Sequence, residues 1–109
     1  MDKALVRDLV DRLEAEVNNG GFDQYFFNTA GDNTSETIQA LKVIGATHTA
    51  SLVESAASHF PGGMPSPDRF ARQNQLEKVS PETDLFDSLD EAFYEYQDDL
   101  AALVESYCA

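Results

Sequence analysis

Apolar residues recur at steps of three and four along this chain, which is the spacing of one face of an α-helix. Near the N-terminus the step runs through Leu5, Leu9, Leu13 and Val17. Near the C-terminus it runs through Phe86, Leu89, Phe93, Tyr96, Leu100, Leu103 and Tyr107. No segment alternates with period two over more than a few residues, so no β-sheet is predicted. The sequence therefore predicts an all-α fold.

Turn-forming residues divide the chain into five or six helices. The run Asn18-Asn19-Gly20-Gly21 ends a first helix over about 2–18, because Gly and Asn accept the left-handed conformation. A short aromatic helix over 22–30 follows and stops at Gly31. Further helices are predicted to begin at capping signals, which are Asn33-Thr34-Ser35-Glu36, Thr47, Ser66-Pro67-Asp68 and Ser80-Pro81-Glu82.

The last predicted helix, about 81–107, is the longest. We expect the other helices to pack around it in a single domain over residues 1–109, a length that suits one small domain. A coiled coil is the alternative interpretation of its apolar stripe, but three heptads are marginal for one.

The chain is strongly acidic, and its charges are unevenly placed. The formal net charge is −13, and no Lys or Arg occurs after Lys78. The carboxylates beyond that residue are Glu82, Asp84, Asp87, Asp90, Glu91, Glu95, Asp98, Asp99 and Glu105. Such a surface repels nucleic acid and attracts basic proteins. The charge therefore argues against direct nucleic-acid binding and indicates a basic protein partner.

Carboxylates step by three and four along the last predicted helix, which would place a second stripe beside or opposite the apolar one. The predicted partner-binding face comprises Asp84, Asp87, Glu91, Glu95, Asp98 and Asp99. One charge per helical turn is one per ~5.4 Å, whereas duplex DNA carries one per ~1.7 Å of its axis. Imitation of DNA would therefore need several acidic elements or a dimer. The alternative interpretations are a solvated face that only keeps the protein in solution, and a halophilic origin.

The most unusual segment is Asn19–Asn28, with the sequence N-G-G-F-D-Q-Y-F-F-N. Its two consecutive glycines permit a positive φ or a close backbone approach. Its four aromatic residues cannot all face water, so the segment is expected to anchor the core. Its polar side chains, Asn19, Gln24 and Asn28, must be hydrogen-bonded if they are buried. Two interpretations stay open, which are helix capping with core bracing, and a small recognition pocket.

This segment resembles the signature of a family of small acidic bacterial proteins that includes a DNA mimic. The matching residues are Asn19, Gly20, Gly21, Phe22, Gln24, Tyr25, Phe26 and Asn28, with Gly31-Asp32, Ala40-Leu41, Ile44-Gly45-Ala46 and the acidic stretch 90–94 in support. The resemblance covers roughly 15–107. It implies an all-helical dimer whose carboxylates occupy the places of DNA phosphates and which blocks a helix-turn-helix repressor. The acidic residues match only in character, so the resemblance assigns none of them a role.

No catalytic, metal or cofactor site is predicted. His48 and His59 lie 11 positions apart, which is no standard metal-ligand spacing, and no phosphate-binding loop is present. Cys108 is the only cysteine, so a disulfide within the chain is excluded and a reducing cytoplasm is indicated. Neither a signal peptide nor a membrane span is expected.

We therefore expect a cytoplasmic protein that is not an enzyme and that imitates DNA phosphates to occupy the basic surface of a DNA-binding protein. One alternative is an immunity-type inhibitor of a basic toxin or nuclease, which would use the same electrostatics. The other is a small-ligand binder that uses the Asn19–Asn28 segment, with a concave site lined by Gln24, Tyr25 and Asn28.

Overall fold

Six α-helices and two short 3-10 turns make up the fold, and no strand is present. The computed structural model describes all residues from 1 to 109. The helices are α1 (Lys3–Phe27), α2 (Thr34–Val43), α3 (Thr47–Ala57), α4 (Arg69–Val79), α5 (Asp87–Tyr94) and α6 (Leu100–Cys108), and the 3-10 turns are Thr29–Asn33 and Pro61–Gly63. The predicted all-α class is confirmed. None of the six helices combines the length and the apolarity that crossing a bilayer requires.

The helix at the centre of the fold is α1, whereas the sequence pointed to the C-terminal segment. It packs against α2, α4, α5 and α6. Leu9, Leu13 and Val17 of the predicted stripe are buried, together with the neighbouring Val6 and Val10, but Leu5 is 44% exposed and does not belong to the buried face. The buried residues belong to one hydrophobic cluster that includes buried side chains of all six helices. A helix that is buried on several sides needs apolar residues over a wide arc of its surface. Adjacent buried residues such as Leu9 and Val10 provide this arc on α1.

The glycine pair interrupts α1 as the sequence predicts, although helical geometry resumes immediately afterwards. Gly20 has φ −153° and ψ 20°, and Gly21 has φ 73° and ψ −171°. The conformation of Gly21 lies in a region that is essentially restricted to glycine. The first two predicted helices therefore form one kinked helix.

The predicted long C-terminal helix is not confirmed, because residues 81–107 form two short helices. Residues 81–86 make turns in which Thr83 has a positive φ of 56°, and Tyr96 has a positive φ of 48° between α5 and α6. The Asp99 carboxylate caps α6 by accepting from the Ala102 N–H at 3.1 Å. Asp competes for backbone N–H groups and therefore favours caps over helix interiors. Phe86, Phe93 and Leu100 of the predicted apolar stripe are nevertheless buried.

The starts of α2 and α3 differ from the predicted caps, since neither Asn33 nor Thr47 caps its helix through its side chain. The Asn33 side chain donates to the Glu36 carboxylate at 2.7 Å and makes no bond to the α2 backbone. At α3 the cap comes from a distant residue, since Asp98 accepts from both the N–H and the hydroxyl of Thr49, at 2.7 and 3.0 Å. Long-range contacts therefore replace the local capping signals at this helix.

Candidate functional site

The six carboxylates of the predicted partner-binding face lie on α5 and in the loops that flank it. Asp87 and Glu91 are on α5, Asp84 precedes it, and Glu95, Asp98 and Asp99 follow it. The predicted single stripe along one helix is therefore wrong, because α5 ends at Tyr94 and the chain turns before α6 begins. Asp98 is half-buried and the other five residues are exposed.

No basic side chain neutralises these six residues. Only four of the twenty acidic side chains in the protein are in ion pairs, and they are Asp8, Asp32, Glu54 and Glu105. Asp98 and Asp99 are engaged as the helix caps described above. We call the remaining four residues, Asp84, Asp87, Glu91 and Glu95, the acidic surface. Its charge faces solvent without a counter-charge from the chain.

A carboxylate of α1 adds to the negative potential beside this surface. Burial raises the pKa of Asp23, the Ser80 hydroxyl partly offsets that rise, and the charges of Asp87 and Asp84 add to it. Burial also raises the pKa of Asp90 to about 6, the Phe22 N–H partly offsets that rise, and the charges of Asp23 and Asp87 add to it. No group of three or more His, Cys, Asp or Glu side chains has an arrangement that could hold a metal ion.

The glycine pair of the motif contacts α5 through Asp90. The Phe22 N–H, at the point where α1 resumes after the kink, donates to Asp90 Oδ1 at 2.8 Å. A Cβ at Gly21 would overlap the Asp90 carboxylate. Tyr94 donates from its hydroxyl to the Val17 carbonyl at 2.9 Å, on the other side of the kink. The two parts of the family signature, Asn19–Asn28 and the stretch 90–94, therefore hold each other in place.

The polar side chains of the motif form a hydrogen-bonded network on α1. Gln24 and Asn28 both donate from their amide nitrogens to Glu16 Oε2, each at 2.9 Å, and Asn19 donates to Gln24 Oε1 at 3.1 Å. The network joins the two helical parts of α1 across the glycine pair. It supports the bracing interpretation of this segment. A Cβ at Gly20 would overlap the Gln24 side chain, so the first glycine makes room for this network.

Three of the four aromatic residues of the motif anchor the core, as predicted. Phe22, Tyr25 and Phe26 are fully buried. Phe22 packs edge-on against Phe93, with ring centroids 6.0 Å apart, and the Tyr25 hydroxyl donates to Thr37 at 3.2 Å. The fourth aromatic residue, Phe27, is 51% exposed.

A buried arginine on α4, which the sequence did not reveal, fixes the C-terminal end of α1. Arg72 has no exposed surface, and its guanidinium donates to the Asp32 carboxylate at 2.8 Å. It also donates to four carbonyl groups, which belong to Phe26, Asn28, Ser66 and Pro67. A Cβ at Gly31 would lie 2.8 Å from Arg72 Nε. The Gly31-Asp32 pair was the only sequence signal for this site, since Gly31 gives the guanidinium room and Asp32 supplies its counter-charge.

A surface cavity of about 640 Å³ lies between the C-terminal part of α1 and α4. Its walls include Asp23, Gln24 and Phe27 from α1 and Gln73, Asn74 and Glu77 from α4. Tyr25 and Asn28 do not line it, because Tyr25 is buried in the core and Asn28 is bonded to Glu16. The prediction of a concave site lined by Gln24, Tyr25 and Asn28 is therefore wrong for Tyr25 and Asn28, and of the three residues only Gln24 lines the cavity.

The fold, the charge and the paired motifs define a small, all-helical acidic protein. A family model described as DMP19-like protein matches residues 3–109. The chain therefore belongs to the DMP19-like protein family, whose name refers to DNA mimic protein 19, and the family resemblance indicated by the motif is confirmed. No curated protein and no solved structure matches the chain.

Proposed function

We propose that this protein is a DNA mimic that occupies the basic surface of a DNA-binding protein, such as a helix-turn-helix repressor. The observation that supports it is the acidic surface, whose four carboxylates are exposed and without a basic partner in the chain. A protein that neutralises DNA phosphates with Lys and Arg presents the charges that such a surface attracts. Membership of the DMP19-like family agrees with this function.

The placement of the carboxylates suits a broad surface better than a line of charges. Because Asp23 of α1 lies near Asp87 of α5 and Asp84 in the preceding loop, more than one element contributes negative charge to this part of the surface. A single helix is too sparsely charged to replace DNA, so imitation of DNA requires several acidic elements of this kind. A homodimer would extend the surface further and forms part of the proposal.

The proposed role is binding without catalysis, in the cytoplasm, with regulation of transcription as its outcome. Asp98 and Asp99 have a positioning role in this proposal, because their carboxylates hold α3 and α6 in place. Association should be fast at low salt and should weaken as salt rises, because screening acts on exposed charges.

The test replaces the acidic surface by amides in the variant Asp84→Asn/Asp87→Asn/Glu91→Gln/Glu95→Gln. The wild-type protein should capture a DNA-binding protein from a lysate of its native host, and both salt and duplex DNA should release it. The four-amide variant should lose this capture, because each substitution removes a charge and keeps the size of the side chain. Circular dichroism should show an unchanged helical fold.

The matched control is Asp8→Asn/Asp11→Asn/Glu54→Gln/Glu105→Gln. It removes the same number of Asp and Glu charges from exposed positions of α1, α3 and α6. Three of these residues are in ion pairs at the surface, which contribute about 0–1 kcal/mol each. Equal loss of capture in both variants would attribute binding to net charge alone. A captured protein that binds duplex DNA and this chain together would contradict mimicry.

A further inference from the structure

The cavity between α1 and α4 offers hydrogen-bond acceptors and no basic side chain. Asp23 and Glu77 contribute carboxylates, and no Lys or Arg is among the lining residues. A ligand with a phosphate or carboxylate group would meet two negative charges and no cation among the lining residues, since Arg69, which lies beside Phe27, donates to the Phe27 carbonyl. The lining therefore selects for a cationic ligand.

Acceptors in this cavity have capacity that the chain leaves unused. Asp23 Oδ1 is buried with no hydrogen-bond partner, and the Ser80 hydroxyl is the side chain that interacts with this carboxylate. Glu77 is in no ion pair, although Lys78 follows it in the sequence. Gln73 donates from its amide nitrogen to the Phe27 carbonyl at 2.9 Å, which leaves its amide oxygen free to accept. The Asp23 and Glu77 carboxylates and the Gln73 amide oxygen are therefore the acceptors that the lining residues offer to a donor from a ligand.

An aromatic ring completes the lining. Phe27 is 51% exposed and belongs to the cavity wall, whereas the other aromatic residues of its motif are buried. A cation over the face of an aromatic ring is attracted by the ring quadrupole. A guanidinium stacks on such a ring through its plane and offers five N–H donors, whereas an ammonium offers three donors on a compact charge.

We propose that this cavity binds the guanidinium of an arginine side chain, with Asp23 and Glu77 as its carboxylate partners and Phe27 as its stacking surface. The inference rests on the proposed function, because the arginine would belong to the basic partner. Free arginine fits less well, since its own carboxylate would lie near Asp23 and Glu77. The cavity would then supply a specific anchor beside the acidic surface, which attracts basic groups with little selectivity.

The test is a titration of the ¹⁵N-labelled protein with N-acetyl-arginine amide, followed by amide chemical shifts. We expect shifts in residues 23–27 and 73–83 and a dissociation constant on the order of 1 mM. The neutral isostere N-acetyl-citrulline amide should bind at least about tenfold more weakly, because it lacks the charge that both carboxylates recognise. Free arginine should also bind more weakly than the blocked form, and the opposite order would assign the cavity to a free small molecule.

The decisive variant is Asp23→Asn/Glu77→Gln, compared with Asp11→Asn/Glu54→Gln. Both remove one Asp and one Glu charge, but Asp11 and Glu54 are exposed, do not line the cavity and do not belong to the acidic surface. We expect about tenfold weaker binding of N-acetyl-arginine amide to the first variant and unchanged binding to the second. If the first variant does not fold, Glu77→Gln alone serves, because Glu77 is exposed and bonded to nothing that positions a helix.

Equal binding of the arginine and citrulline compounds, equal affinities of the two double variants, or shifts centred outside the cavity would each overturn the inference. The titration contains no partner protein, so its result does not depend on whether the protein is a DNA mimic. If the protein still captures a DNA-binding protein but does not bind N-acetyl-arginine amide, only the proposed arginine site would be refuted. Arginine binding without such capture would refute only the mimic function.

Discussion

Two charged side chains, the buried Arg72 and the half-buried Asp90, hold the motif segment of α1 from opposite sides and have different surroundings. On the α4 side, Arg72 donates to one carboxylate and four carbonyl groups. On the α5 side, Asp90 accepts from the Phe22 N–H and has the carboxylates of Asp23 and Asp87 for neighbours. Arg72 therefore has five hydrogen-bond acceptors around its charge, whereas Asp90 has one backbone donor and two neighbouring groups of the same charge.

This difference shows where a chain with few basic residues places them. Arg72 is used inside, so it contributes nothing to the charge of the surface. No cation is placed at Asp90, and its pKa rises to about 6 as a result of burial and of neighbouring charges. The interior therefore depends on a cation at one contact and tolerates electrostatic strain at the other. Substitutions of Arg72 and of Asp90 themselves should consequently have opposite effects on stability.

Replacing Arg72 should have the largest effect. In Arg72→Met, Asp32 loses its counter-charge and four carbonyl groups lose a donor. The Asp32 side chain is 39% exposed, so water replaces part of the lost ion pair, and the carbonyl groups left without their donor account for most of the expected loss. We expect a loss on the order of 3 kcal/mol, which is a large share of the ~5–15 kcal/mol that keeps a typical domain folded. Urea unfolding followed by circular dichroism measures the loss.

The control for this variant is Arg69→Met, one helical turn earlier. Arg69 makes one long contact, from Nε to the Phe27 carbonyl at 3.4 Å, so its loss should cost less than about 1 kcal/mol. Equal destabilisation by the two variants would show that the buried network around Arg72 is not what stabilises this side of α1.

Substitution of Gly21 tests the contact on the α5 side. In Gly21→Ala, the backbone stays in a region that only glycine adopts easily, and the new Cβ overlaps the Asp90 carboxylate. We expect a loss of about 2–4 kcal/mol from strain and overpacking together. The free energy of unfolding in urea measures it.

Gly45→Ala separates backbone strain from the steric contact. Gly45 has a positive φ of 85°, but a Cβ there would meet no atom within 4 Å. Its substitution should cost about 1–2 kcal/mol, from the left-handed conformation alone. If Gly21→Ala were no worse than Gly45→Ala, the proximity of Asp90 would carry no energetic weight.

The smallest effect, and the one of opposite sign, is expected for Asp90→Asn. The pKa of Asp90 is raised from 3.8 to about 6, so the folded state holds this proton more tightly than the unfolded state. That contribution to stability is complete below pH 3.8 and is lost as pH rises through about 6. Asn removes the charge and can still accept from the Phe22 N–H.

At neutral pH, Asp90→Asn should therefore be more stable than the wild type by on the order of 1 kcal/mol. The gain is small because water screens the charge of this partly exposed group. The gain should disappear below the ordinary pKa of Asp, which unfolding curves at several pH values would show. Glu91→Gln is the control, because it removes an exposed charge from the next residue of α5. Parallel pH profiles for both variants would contradict a special position for Asp90.

The sequence predicted most of the helical architecture because its signals act within one or two turns. The spacing of Leu9 and Leu13 gave the buried face of α1, and the Gly20-Gly21 pair marked its kink. The same local signals predicted one long helix in place of α5 and α6. The apolar spacing continues through Tyr96, whereas the helical backbone is interrupted there. Asp98 lies between α5 and α6, where its carboxylate binds Thr49, 49 positions away, and no local pattern signals that contact.

By itself, the sequence determined the helical class, the interruption of α1 and the excess of negative charge beyond Lys78. These properties follow from composition and from periodicity, which need no contact between distant residues. Only the tertiary structure decided which carboxylates are free, because Asp90 meets Phe22 across 68 positions and Arg72 meets Asp32 across 40. Such pairs depend on how the helices pack against α1, and no local pattern specifies that packing.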